Sequence, residues 1–138
     1  MSEDPVAVLR RARSVLLVDW PSQDVPDSLV RAGLAVFVKG GPGPRDFAAR
    51  ELVHGEVVSR AVDEPPDQID LVYAYRPLDE LPSIVALARQ LGAFAVWRQA
   101  GLSRDESGES RKIVAAAGLT YVDEVEIADA AQSIGSSQ

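Results

Sequence analysis

Four short segments of this 138-residue sequence group side chains able to hold an anion or stack on a flat ring, and each follows an apolar run. They are Asp19-Trp20-Pro21-Ser22, Lys39-Gly40-Gly41-Pro42, Tyr75-Arg76-Pro77 and Gln99-Ala100-Gly101. Lys39 and Arg76 can donate charge-assisted hydrogen bonds to phosphate or carboxylate. The glycines allow the backbone to approach a ligand closely, and Trp20 has an aromatic face. Two plainer readings stand beside these, a solvated lysine at a strand end and an exposed salt bridge at Arg76.

Turnover finds less support than recognition. The one histidine, His54, falls in a connector and reads as a surface residue, with no serine or carboxylate spaced to form a triad. There is no cysteine, so thiol nucleophiles, disulfides and Cys-ligated zinc are excluded. Asp123, Glu124 and Glu126 read as a solvated acidic face, and no His/Asp/Glu spacing points to a metal.

The elements that must position these segments are legible from periodicity. Asp4 before Pro5 reads as an N-cap opening a short helix, which makes residues 1–13 an outer flap. Val15-Leu16-Leu17-Val18 is a continuous apolar run of the kind found in a parallel strand covered on both faces. Asp24 to Ala32 follows as a helix closed by Gly33, with Asp24 and Asp27 as its caps, and Leu34–Val38 is the second strand.

Residues 39–44 are too rich in Gly and Pro to be other than a loop. Between Arg45 and Asp67 the pattern weakens: Phe47–Leu52 reads as a short helix and Glu56–Ser59 as an edge strand. Ile69–Tyr75 is a third strand, Leu78–Leu91 a helix stopped by Gly92, and Ala93–Trp97 a fourth strand. Glu106–Ala117 is a helix stopped by Gly118, Leu119–Val122 a fifth strand, and residues 134–138 a loose tail.

Strands alternating with helices imply right-handed crossovers and an α/β, doubly wound, Rossmann-like parallel sheet of about five strands. The expected order is 3-2-1-4-5, with helices on both faces and the whole chain as one domain. In such a sheet ligands bind outside the carboxyl ends of the strands, where the strand order reverses. That is where the four segments fall.

Lys39 then becomes informative, because the end of the second strand is where a dinucleotide fold usually places an acid against a ribose hydroxyl. A cation there suits a phosphorylated ribose, as in the 3′-phospho-ADP of coenzyme A or the 2′-phosphate of NADP. At 46% hydrophobic and 25% charged residues the composition is that of a folded globular chain. A net charge of −7 argues against nucleic acid or an anionic membrane as partner. No run approaches the roughly 20 apolar residues of a membrane span, so the expected location is the cytoplasm.

Several motifs together carry a resemblance over about Ser14 to Ala130. They are Asp70-Leu71-Val72 with Arg76-Pro77 and Leu81-Pro82, then Leu91-Gly92-Ala93, then Ala95-Val96-Trp97-Arg98-Gln99-Ala100-Gly101-Leu102, and finally Ala117-Gly118-Leu119 with Val122. In these the chain resembles the CoA-binding domain proteins, small Rossmann-type domains similar to the nucleotide-binding domain of the succinyl-CoA synthetase α subunit. The resemblance implies recognition of the adenine nucleotide part of coenzyme A by the loops after strands one to four. It also makes Trp97 the family's strand-four aromatic, a position that core packing accounts for better, since an aromatic inside a central strand is usually part of the core.

One segment departs from that pattern. Family members carry a Gly-rich turn after strand one, whereas this chain reads Asp19-Trp20-Pro21-Ser22-Gln23-Asp24-Val25-Pro26. Pro21 and Pro26 remove amide donors, and Asp19, Asp24 and Asp27 put negative charge where a diphosphate would arrive.

The expected function is non-catalytic binding of coenzyme A or an acyl-CoA. Its expected site comprises Asp19, Trp20, Pro21, Ser22, Lys39, Gly40, Gly41, Pro42, Tyr75, Arg76, Gln99 and Gly101. The alternatives are a Rossmann domain that has lost its nucleotide and acts through protein contacts, and a small NADP-dependent enzyme. A homodimer is expected from the sheet edge or helix faces that a small sheet leaves uncovered, without the sequence locating it.

Overall fold

Apolar runs without polar alternation become the middle of a single sheet. β1 (Ser14–Val18), β5 (Leu71–Ala74) and β6 (Ala95–Arg98) lie side by side and parallel, with Leu16 opposite Val72 and Val72 opposite Val96. Every residue of β5 and β6 is buried, as both faces are covered by helices. β7 (Thr120–Val122) and β2 (Ala35–Lys39) flank them, also parallel. The computed structural model describes residues 4–39, 47–62, 66, 68–99, 104–123 and 125–136, with backbone alone at 104–106 and 135–136.

Beyond β2 the pattern changes. β3 (Phe47–Val53) and β4 (Glu56–Val62) form an antiparallel hairpin that extends the sheet to seven strands in the order β4-β3-β2-β1-β5-β6-β7. The expected order 3-2-1-4-5 is therefore corrected. The predicted third strand, now β5, pairs with the first, so the five parallel strands run 2-1-3-4-5 in their own numbering. The place beside β2 is filled by β3 instead.

The helix expected at Phe47–Leu52 is also corrected to strand β3. Ala, Arg, Glu and Leu favour helix intrinsically, but pairing with β2 on one side and β4 on the other overrides that weak preference. The hairpin turns at His54-Gly55, both at positive φ (52° and 83°), the geometry of a two-residue type I′ turn. The edge strand expected at Glu56–Ser59 is present and runs on to Val62.

Helices α1 (Pro5–Arg11), α2 (Asp24–Arg31) and α5 (Ile127–Ser136) cover one face. α3 (Leu81–Gln90), entered through a 3-10 turn at Leu78–Glu80, and α4 (Arg104–Ala116) cover the other. Asp4 caps α1 through Oδ1, which accepts from the Val6 amide at 3.2 Å. α1 is not an outer flap, since Val8 and Leu9 are fully buried in the core shared with α2 and α5. Residues 134–136, expected to belong to a loose tail, lie in α5, which continues to Ser136, and 137–138 lie outside the described residues. Asp24 and Asp27 lie in the first turn of α2, but Gln23 is the N-cap and no side chain caps it.

Asp70 ties the two central strands together at their amino ends. Its Oδ2 accepts from the Arg13 amide at 2.8 Å, and its own amide donates to Ser14 Oγ at 3.1 Å. β1 and β5 thereby enter the sheet in fixed register, and the loops at their far ends emerge adjacent.

Candidate functional site

The strand order reverses about β1, so the loops leaving the carboxyl ends of β1 and β5 face each other across the crevice where an open α/β sheet binds ligands. Here that crevice is bridged. Asp19 sits in the left-handed region (φ 71°), with Oδ1 accepting from the Trp20 amide at 2.9 Å and Oδ2 paired to Arg76 Nη1 at 3.1 Å. The other edge of the guanidinium meets Glu80 Oε2, at 3.0 Å from Nε and 2.5 Å from Nη2. The hydrogen bond to Glu80 first, and that to Asp19 second, raise the Arg76 pKa above its ordinary value.

Beneath this loop lies Arg98, a charged side chain with 1% exposure. Its Nε donates to the carbonyl of Arg76 and its Nη1 to Ser110 Oγ, both at 3.0 Å. Arg98 thus holds the backbone that carries Arg76. Next to it, Asp123 accepts from the Tyr121 hydroxyl at 2.9 Å and from Ser107 Oγ, so this acid is part of a hydrogen-bonded cluster and not of a solvated face. Burial is the largest influence on Tyr121, pushing its pKa up to about 12.

On the α3 side of the sheet, a groove of about 290 Å³ opens beside the carboxyl ends of β1 and β2. Val18, Ile84 and Leu87 give it apolar walls, and Lys39, Glu80 and Ser83 its polar rim. The Lys39 ammonium also lies 5.2 Å from the centroid of the Phe47 ring. Glu80 links the two halves of the site, since it lines the groove and holds Arg76.

The residues expected to form the site are only partly brought together. Asp19, Arg76 and Lys39 lie at the carboxyl ends, as does Tyr75, exposed, with its amide donating to the carbonyl of Val18 at 3.3 Å. Pro21 and Ser22 are exposed in the β1 loop, where the Ser22 carbonyl accepts from the Val25 amide. Trp20 turns to the α2 side, packing on that core with the Arg50 guanidinium 5.6 Å from its ring, and so does not share the α3-side groove. Gly40, Gly41, Pro42 and Gly101 lie outside the described residues.

Gln99 has a different role from the one expected. It is 8% exposed, its Nε2 donates to the carbonyl of Val125 at 2.8 Å, and its Oε1 accepts from the Ile127 amide at 3.2 Å. Trp97 Nε1 donates to the same Val125 carbonyl at 3.2 Å. Trp97 and Gln99 therefore clamp the β7–α5 turn, and Gln99 satisfies the first amide of α5, a group that has no partner within the helix. Glu80 and Ser83 were not singled out in the sequence. The spacing of Glu80 four residues after Arg76 was the available signal.

The CoA binding domain family matches residues 18–127, from the last residue of β1 to the first of α5. The chain belongs to that family. CoA binding is thus its general function. The fold of this CoA-binding domain recurs in Prb, a PH1109 protein redesigned for binding, at 20% identity and a TM-score of 0.69 over 97% of this chain and 92% of that one. It recurs too in ID.343 from Thermus thermophilus, at 22% identity and a TM-score of 0.59 over 93% and 94%. At these identities the likeness concerns the fold alone. No protein of curated function matches the chain.

Tested against CoA, the two halves of the site differ. The groove joins apolar walls to a cation, a combination that fits a phosphorylated adenosine. The β1 loop does not fit a diphosphate cradle: its carboxylate, on Asp19, already pairs with Arg76, and Asp24 and Asp27 occupy the helix turn beyond it. Among the described residues no cluster of His, Asp or Glu could hold a metal ion, and no helix is long and apolar enough to cross a membrane.

Proposed function

We propose that this CoA-binding domain binds CoA or an acyl-CoA without transforming it, through Lys39 and the α3-side groove, and with a diphosphate contact weakened by its own carboxylates. The observation that carries this reading is the pairing of a cation with an apolar groove at the end of β2 in a chain of this family. Lys39 supplies charge for a ribose phosphate, while Val18, Ile84 and Leu87 exclude water from one side of a ring system. The role is binding and not turnover, because the sequence spaces no acid, base and nucleophile to act together.

Calorimetry and thermal shift with CoA, acetyl-CoA, dephospho-CoA and NADP test it. Saturable binding is expected for CoA and acetyl-CoA, with dephospho-CoA weaker; Lys39→Ala should weaken CoA and leave dephospho-CoA nearly unaffected. Ligand that binds the folded chain raises its melting temperature, by an amount that grows with concentration over Kd. A flat response at millimolar CoA would sink the proposal. It would favour a second reading, a domain without nucleotide that acts through protein contacts, which the closed Asp19–Arg76–Glu80 bridge supports.

A further inference from the structure

Among the described residues β4 is the outer strand of the sheet, and its backbone geometry dictates how its outer edge can pair. The type I′ turn sets Val53 opposite Glu56, and the residues that close such a turn are a hydrogen-bonded pair. Glu56, Val58, Arg60 and Val62 therefore direct their backbone groups to β3. Val57, Ser59 and Ala61 direct theirs away from the sheet. The register with β3 is continuous over all seven residues, without a bulge, and the strand contains neither proline nor lysine. Among the described residues this edge has no bulge, proline or lysine to deter pairing with another strand, and its two charged side chains, Glu56 and Arg60, are of opposite sign.

Side chains narrow the choice of partner. Glu56, Val58 and Arg60 share the face on which α3 lies and are exposed there, Val58 at 38%. An antiparallel copy must set outward-directed residues opposite each other, so the two-fold axis passes through a residue and not between two. With the axis on Val58, each Glu56 lies opposite an Arg60 and Val58 lies opposite itself. With the axis on Val57 or Ser59, Val58 would face a charge instead, and with it on Arg60 two guanidinium groups would meet.

We propose that two copies of this chain associate by antiparallel β4–β4 pairing with the two-fold axis at Val58, forming one continuous sheet. Arg60 then lies between its own Glu51, at 2.8 Å, and Glu56 of the second copy. Opposite charges and apolar side chains set directly across an antiparallel pair stabilise it. One strand and few apolar side chains fall short of the area of a standard stable interface, about 800 Å² per partner, so the association is reversible. This inference is independent of CoA binding.

Two measurements test it. Sedimentation of the unmodified chain from about 10 µM to about 1 mM, the range of weak association, should show a mass rising from 14.8 kDa toward twice that value. The chain has no cysteine, so Val57→Cys, Val58→Cys and Ser59→Cys each create a single thiol for oxidative cross-linking. A residue opposite itself in a non-hydrogen-bonded pair has its Cα about 4.5 Å from its image, within disulfide range. Positions one residue away face their own images only diagonally, roughly 7–8 Å apart.

Val58→Cys should therefore cross-link at least several-fold more than the other two. Arg60→Glu should abolish the mass increase, and the double exchange Glu56→Arg with Arg60→Glu should restore it. A constant monomer mass, or cross-linking that is absent or strongest at position 57 or 59, would overturn the proposal.

Discussion

Replacing Asp19 by asparagine removes one carboxylate from the crevice while keeping a residue that tolerates the left-handed backbone found there (φ 71°). Two effects on CoA affinity follow, both in the same direction. Arg76 no longer has to leave Asp19 to meet an anion; the pair is 3.1 Å long with side chains 38% and 50% exposed, so this release is worth a factor of about two to four. Loss of a negative charge close to an incoming diphosphate, in a largely aqueous dielectric, contributes roughly another factor of three to five.

Together they predict about tenfold tighter CoA binding for Asp19→Asn, measured by calorimetry at low salt, with the gain shrinking as ionic strength rises. Asp19→Gly should behave alike, since glycine is at ease at positive φ. Arg76→Ala in the Asp19→Asn background should remove the roughly two- to fourfold share that comes from freeing Arg76 and leave the share due to lost repulsion, since only the first acts through the Asp19–Arg76 contact. Unchanged or weaker binding in Asp19→Asn, with the fold intact by circular dichroism, would refute the idea that this carboxylate obstructs the diphosphate.

Gln99→Ala should destabilise the fold by about 1–3 kcal/mol, because the buried Ile127 amide loses its partner and the Val125 carbonyl keeps only Trp97. That should appear as a melting temperature lower by roughly 3–10 °C, with CoA affinity of the folded fraction unchanged; a selective loss of affinity would return Gln99 to the binding site. Tyr121 titrates near 12 in the fold against 10.0 unfolded. The unfolded chain therefore releases this proton first, so the stability contributed is intact below pH 10 and is lost as pH rises toward 12. Thermal melts over that window should show Tyr121→Phe losing less stability than the unmodified chain.

Much of the fold is legible along the chain because local rules suffice for it. Uninterrupted apolar runs become the doubly covered strands β1, β5 and β6. Gly33, Gly92 and Gly118 end three helices at φ 96°, 78° and 78°, values that side chains disfavour. The β3–β4 hairpin is not legible in the same way. Phe47 to Leu52 has the composition of a helix, and only hydrogen bonding to β2 and β4 makes it a strand. Moving the third predicted strand to the other side of β1 follows from that same hairpin.

By itself, then, the sequence determined the Rossmann-like class, the family motifs, the position of Lys39 at the end of the second strand and the want of glycine after the first. These depend on residue type and on neighbours a few positions away. Tertiary structure alone decided that Asp19 meets Arg76, 57 residues later, that Gln99 faces inward to the β7–α5 turn, and that the groove opens on the α3 side. Such contacts arise from strand register and helix packing, where a side chain's partner is set by which backbone lies across from it and not by what adjoins it in the chain.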